Sequence, residues 1–280
     1  MASLLGRSTA LNRVAKWLAP PLSRMACSRL CYNPLRMFDA YLNVLLGKGG
    51  GTGWYLQQEL RAAISRIRRA QPVVFDVGAN VGRWSECLLQ AVPGARVYMF
   101  EPSPGCREEI ARKSRLAGAT LIPAAVSDRT GEAVLHFSSE TDGTASLHER
   151  ADTFFQHVRY STLPVDVVTL DSIIESERLE FVDFIKMDAE GHELFALRGA
   201  QCALEKRRIG ALAFEFGSGN INSRTFFRQF WDLLTTRGFL IWRVTPGGAP
   251  VLVNEYYEDL EYFRGVSNYV AELKDHPFSS

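Results

Sequence analysis

Four ionisable side chains, Asp188, Glu190, His192 and Glu193, fall within six residues directly after the apolar run Val182-Asp183-Phe184-Ile185-Lys186-Met187. An imidazole ordinarily titrates near neutral pH, so beside carboxylates His192 stands first as a general base, with Asp188 and Glu190 behind it. The same four groups invite a metal reading, because Mg²⁺ binds through a few carboxylates plus water and can acidify an alcohol. A plainer alternative serves the glutamates: Glu190 and Glu193 open a helix, where negative charge suits the macrodipole. It explains Asp188 and His192 less well. Glu215, at the end of the run Ala211 to Phe216, would line the same pocket or orient a neighbour.

A second constellation lies upstream, in Val73-Val74-Phe75-Asp76-Val77-Gly78-Ala79-Asn80-Val81-Gly82-Arg83-Trp84. An apolar strand runs into a loop with two glycines four apart and then into a helix, so backbone can approach a ligand closely with helix N–H groups facing it. The spacing matches neither the dinucleotide fingerprint nor the P-loop, so NAD and ATP lose ground, and glycines of purely structural use remain the plainer alternative. Glu101 follows the next apolar strand, 25 residues beyond Asp76. A carboxylate there can accept hydrogen bonds from both hydroxyls of a ribose lying across the sheet edge. A third strand end, Ala125-Val126-Ser127-Asp128, offers backbone groups and a carboxylate to an adenine edge. Asp128 also fits a turn before Arg129-Thr130-Gly131.

These residues need strand ends to carry them. Short apolar runs at 73–76, 96–100, 120–123, 181–187, 211–216 and 239–244 alternate with helical segments near 83–91, 104–116, 190–206 and 223–237. That alternation predicts βαβ units and an α/β, Rossmann-like fold with a mostly parallel sheet and helices on both faces. Residues 133–138 read as a strand of an inserted hairpin, and 266–271 as a final strand returning to pair with the one at Phe239. Leu56, Leu60, Ile64 and Ile67 predict an amphipathic helix over 55–69, with Arg66, Arg68 and Arg69 at its C-terminal end, where the dipole favours cations. The predicted division is 1–54, a basic helical cap or targeting segment; 55–272, the catalytic domain; and 273–280, a tail. Gly47 to Gly53 reads as a flexible joint between the first two.

Composition bounds the rest. With 280 residues, 46% hydrophobic and 22% charged, the chain can bury a large core, which excludes disorder. No apolar run reaches the roughly 18 residues of a membrane span. Net charge is +1, yet residues 1–70 hold 11 Lys and Arg against only Asp39 and Glu59, and residues 1–38 hold six basic residues and no acid. Such a segment suits a mitochondrial transit peptide or peripheral membrane contact as well as a cap. Five scattered cysteines without a CxxC pair indicate neither a disulfide scaffold nor a zinc ribbon, so a reducing, cytoplasmic setting is expected. Nucleic acid is not an expected partner, since the basic surplus lies outside the cleft. Nothing in the sequence sets the oligomeric state.

Taken in order, FDVGANVG (75–82), FEPSP (100–104), AVSD (125–128) and IKMDAEGHE with its LRGA tail (185–200) resemble the FkbM family of S-adenosylmethionine-dependent methyltransferases. The resemblance covers roughly residues 56–245. It implies the class I methyltransferase fold, a seven-stranded sheet with a reversed last strand, and O-methylation of a small-molecule, sugar, glycolipid or polyketide-like hydroxyl. It further implies that the loop Asp76, Gly78, Ala79, Asn80 and Gly82 holds the methionine part of the cofactor, Glu101 the ribose, and Ser127 and Asp128 the adenine, with Asp188 close to both cofactor and acceptor. Mg²⁺ is not favoured, because the Asp-Asn pair that catechol O-methyltransferase-type enzymes place after the next strand is missing here. A non-catalytic cofactor-fold binding module is the alternative function, and an NAD-dependent oxidoreductase a more distant one.

Overall fold

A computed structural model describes residues 10–49, 52–141, 143–150, 157–248, 250–263 and 265–278. Three helices come first: α1 (Ala10–Ala26), α2 (Tyr32–Leu45) and α3 (Thr52–Ile64). The alternating part follows as β1 (Val73–Val77), α4 (Arg83–Ala91), β2 (Arg96–Phe100), α5 (Pro104–Ala111), β3 (Thr120–Ile122), β4 (Ala125–Val126), β5 (Gly131–Phe137) and β6 (Ser161–Val168). Then come α6 (Leu170–Ser176), β7 (Val182–Met187), α7 (Glu193–Arg198), α8 (Gln201–Glu205), β8 (Ile209–Gly217), α9 (Gly219–Ser223), α10 (Phe227–Thr235), β9 (Phe239–Arg243), β10 (Val251–Val253) and β11 (Val266–Leu273).

The main sheet runs β10-β9-β11-β8-β7-β1-β2-β3. β1 pairs in parallel with β2 and β7, β2 with β3 and β7 with β8, while β11 is antiparallel to both β8 and β9. Without β10 this is the expected seven-stranded sheet with its last strand reversed. β10 is an eighth strand, three residues long, added antiparallel to the edge at β9. It follows Pro246-Gly247-Gly248 and is too short to show a period in the sequence. Residues 131–137 do form a strand, but their partner is β6, and with β4 these strands make a separate three-stranded sheet. β6 carries Pro164 and buries only Val165 and Val167 among its eight residues, so it lacked an apolar run.

Strand residues alternate between two cores, as the period of two demands. Phe75, Val77 and Ile185 face Leu170, Leu194, Leu197, Phe227 and Phe230 of α6, α7 and α10. Val74 and Phe184 face Ala63, Trp84 and Leu88 of α3 and α4. Helices therefore cover both faces, leaving the strand ends as the place for a site.

Two N-terminal expectations are corrected. The helix predicted to 69 stops at Ile64. Its arginines bind acids on the sheet instead of the helix dipole: Arg69 Nε donates to Asp183 Oδ1 at 2.7 Å and Arg68 Nη2 to Glu272 Oε1 at 2.8 Å. The start of the glycine-rich joint is docked. Gly47 is buried at φ +75°, and a Cβ there would lie 2.3 Å from the Val244 carbonyl oxygen, while Lys48 Nζ donates to the Asp259 carbonyl at 3.2 Å. Residues 50 and 51 lie outside the described residues. No helix among the described residues is long and apolar enough to cross a membrane.

Candidate active site

The loop after β1 is held by its contact with the loop after β7. Gly78 sits at φ +71°, and a Cβ on it would come within 1.9 Å of the Asp188 carbonyl oxygen, so only glycine lets the two strand ends meet. Gly82, at φ +74°, opens α4, but a Cβ there would meet Leu116 Cδ1 at 2.6 Å. Its role is packing against the core. Asp76 does not reach the cavity either. It is fully buried, accepts a hydrogen bond from Ser85 Oγ at 2.6 Å and lies 3.4 Å from Lys186 Nζ. Lys186 also lies 3.2 Å from Asp188 Oδ2 and donates to the Gly78 carbonyl at 3.2 Å. Burial opposes the lysine's charge, but Asp188 and Asp76 outweigh it and leave its pKa raised. Lys186 thus ties both loops together. Its sequence signal was a lone cation inside an apolar strand.

Glu101 joins a third strand end to the first. Its Oε2 accepts from the Asn80 N–H at 2.7 Å and its Oε1 from the Ser103 N–H at 2.8 Å. Asn80 holds φ +49°, a left-handed conformation that asparagine tolerates. Burial pushes the Glu101 carboxyl up, and the two N–H donors pull it part of the way back.

Above these strand ends opens a cavity of about 540 Å³. Of the residues singled out in the sequence, its wall includes Gly78, Ala79, Asn80, Glu101, Asp188, Glu190, His192 and Glu215. Phe100, Val126, Leu135 and Leu147 supply an apolar side. Part of the cover is the connection between β5 and β6, which the sequence did not assign to the site. Ser103 Oγ donates to the Glu140 carbonyl at 3.0 Å, Ser146 Oγ to the Glu190 carbonyl at 3.0 Å, and Arg150 Nη1 to Glu190 Oε2 at 2.6 Å. Ser127 and Asp128 lie outside that wall. They line a neighbouring cavity of about 330 Å³ with His148 and Phe195.

His192 stands between the two cavities and is committed. Its Nε2 lies 2.8 Å from Ser127 Oγ and its Nδ1 2.9 Å from His148 Nε2, and its ring stacks on Phe195. Burial and the neighbouring His148 lower its pKa to about 3. With both nitrogens engaged and the cation disfavoured, His192 is a poor acceptor for a substrate proton, which corrects the first choice of base. The four groups of the metal reading point to other partners. Asp188 faces Lys186, Glu190 faces Arg150, and Glu193 is turned inward. Among the described residues no group of three or more His, Cys, Asp and Glu is placed to hold a metal ion.

Glu193 is the loop's internal clamp. Its Oε1 accepts from the Ala189 N–H at 2.8 Å and the Gly191 N–H at 3.1 Å, while Oε2 is buried without a hydrogen-bond partner. Burial raises its pKa to about 7, against the pull of those donors. A carboxyl whose pKa is raised by folding stabilises the protein below its unfolded value and loses that contribution as pH climbs to the folded value. Glu193→Gln keeps the accepting oxygen and removes the buried charge. The variant is therefore expected to match the parent near pH 4.5 and to gain roughly 1 to 3 kcal/mol by pH 8, read from denaturant unfolding across that range.

The methyltransferase FkbM domain matches residues 76–241, which includes every strand end described above. Among characterised proteins, the 2-O-methyltransferase NoeI of Sinorhizobium fredii is 32% identical over 163 residues, covering 53% of this chain and 65% of NoeI. The hexuronic acid methyltransferase AglP of Haloferax volcanii is 26% identical over 133 residues, 48% of this chain and 52% of AglP. Methyltransferase sdnD of Sordaria araneosa is 24% identical over 157 residues, 46% of this chain and 61% of sdnD. The chain thus spans between about half and two thirds of the length of these relatives. With the domain match running over more than half of the sequence, and a sheet order that places its motifs on adjacent strand ends, the chain belongs to the FkbM methyltransferase family.

Proposed function

We propose that the protein transfers a methyl group from S-adenosylmethionine to a hydroxyl oxygen of a sugar-type acceptor. The observation that carries this reading is the single cavity in which the Gly78–Asn80 backbone, the Glu101 carboxylate and the Asp188 carboxylate meet. The donor set fits that cofactor: a buried carboxylate for vicinal hydroxyls, an apolar wall for a flat ring, and a loop where a Cβ would not fit beside the Asp188 carbonyl. In this reading Glu101 holds the ribose, Gly78 to Asn80 the amino-acid end, and Val126 with Leu135 the base.

When bound, the cofactor supplies a methyl group on a positively charged sulfur, already bonded to a good leaving group. The protein's work is to align the acceptor and exclude water. Asp188 takes the acceptor's hydroxyl proton on a carboxylate oxygen, with Lys186 fixing that carboxylate's position. Glu190, held by Arg150, and Glu215 line the same cavity and orient acceptor hydroxyls in this reading. The choice of acceptor class is supported by the names of two relatives, the 2-O-methyltransferase NoeI for an oxygen acceptor and the hexuronic acid methyltransferase AglP for a sugar acid.

Two measurements test the reading together. Calorimetry is expected to show saturable binding of S-adenosylhomocysteine and none of NADH. Labelled methyl transferred to a panel of glycosides and glycolipids is expected to resist mild alkali, as an ether does. Absence of cofactor binding overturns the proposal, and a label lost in alkali would replace the hydroxyl acceptor with a carboxylate.

A further inference from the structure

The N-terminal helices leave a surface that the rest of the fold does not use. Along α1, Trp17, Leu18 and Leu22 lie with Val14 and Met25 within an arc of about 140° at roughly 100° per residue. Trp17 is 78% exposed and Leu22 51%. On α2, Phe38, Tyr41 and Leu45 form a second stripe; Phe38 is 58% exposed and no residue of the helix is buried. Soluble monomers rarely leave contiguous apolar patches of this kind open to water.

Charge indicates what covers them. Arg13 and Arg24 border the apolar arc of α1 along one side and Lys16 lies on its opposite face, Arg29 lies between the helices and Arg36 on α2, while Asp39 is the one acid from residue 10 to 48. Apolar stripes bearing Trp, Phe and Tyr, on helices whose charges are almost all Arg and Lys, suit helices lying in the plane of a lipid interface, with rings among the acyl chains and cations reaching acidic headgroups. We propose that α1 and α2 dock the protein on an anionic lipid bilayer. A purely apolar protein groove would have no use for the cationic surplus.

The root of the helix pair is fixed at the sheet edge that carries the site. Gly47 packs on the carbonyl of Val244, just after β9, and Lys48 bonds to the Asp259 carbonyl. Val266, where β11 begins, lines the site cavity. Docking therefore holds this edge near the headgroups, and an acceptor carried on a lipid would reach it from the membrane. That last consequence alone rests on the proposed reaction.

The test is flotation of the full chain with vesicles of phosphatidylcholine alone or mixed with phosphatidylserine. The chain is expected to float with the mixed vesicles at least about tenfold more than with the neutral ones, and less as salt rises. The double substitution Trp17→Glu and Phe38→Glu is expected to lower binding by about tenfold or more, with circular dichroism and S-adenosylhomocysteine affinity unchanged. Arg24→Glu with Arg29→Glu should erase the preference for acidic lipid. Absence of flotation, or equal flotation on both vesicles, overturns the proposal. So does a lipid-indifferent dimer in sedimentation that Trp17→Glu dissociates, since a second copy would then cover the stripes. In the unsubstituted chain, no flotation with intact cofactor binding rejects the docking alone; flotation without cofactor binding rejects the reaction alone.

Discussion

Asp188→Asn is expected to lower kcat by about 10²- to 10⁴-fold and to move S-adenosylhomocysteine affinity by less than about threefold. The asymmetry follows from position. Asp188 is a partly exposed carboxylate in the cavity wall, held 3.2 Å from Lys186, and none of the loop's backbone donors depends on it. The amide keeps the shape and cannot take a proton. Lys186 retains Asp76 and the Gly78 carbonyl, so the strand ends stay joined. His192→Asn, by contrast, is expected to cost less than about tenfold in kcat, because its nitrogens serve Ser127 and His148. Single-turnover kinetics with a working acceptor decides both. A loss below about fivefold in Asp188→Asn would pass the proton to Glu190 or Glu215.

The second large effect is on the cofactor. Glu101→Gln is expected to weaken S-adenosylhomocysteine binding by about 1 to 3 kcal/mol, the cost of leaving buried polar groups poorly paired. Glutamine is not a mild change at this position. One carboxylate oxygen serves the Asn80 N–H and the other the Ser103 N–H, so whichever way the amide turns, its NH₂ confronts a donor. The ribose role separates from this clamping role in a cycle with a 2′-deoxy analogue. The parent should discriminate against the analogue and the variant should not. Equal discrimination in both proteins would confine Glu101 to holding the loops.

The sequence disclosed the sheet because each of its strands except β10 has an apolar run bounded by turn or helix signals, and because Asp76, Glu101 and Asp188 fall at corresponding strand ends. What it could not disclose is which way side chains turn. Asp76 and Gly82 sit in the expected loop, yet a period-two strand directs Asp76 into the α3–α4 core and the entry to α4 directs Gly82 at Leu116. His192 had the right type and place, but its partners Ser127 and His148 are 65 and 44 residues away, beyond any local pattern. The cover over the cavity was missed for a similar reason. Residues 138–150 have no periodicity of their own, and their described part is held by a backbone pair between Ser146 and His136 and by bonds to Ser103 and Glu190.

The place of β11 has a consequence for how the chain acquires its structure. It is the last strand in sequence, yet it lies between β8 and β9, bonded to both along most of its length. Until residue 273 has left the ribosome, β8 and β9 each expose an unpaired edge, and Phe214 and Phe227 lack the ring of Tyr269 that packs on them. Such edges are templates for pairing with other chains. Synthesis therefore passes through a stage in which β1 to β3 and β7 are complete while β8 and β9 still lack the strand between them. Neighbouring nascent chains at that stage present the same unpaired edges to one another, and insertion of the last strand closes both edges at once.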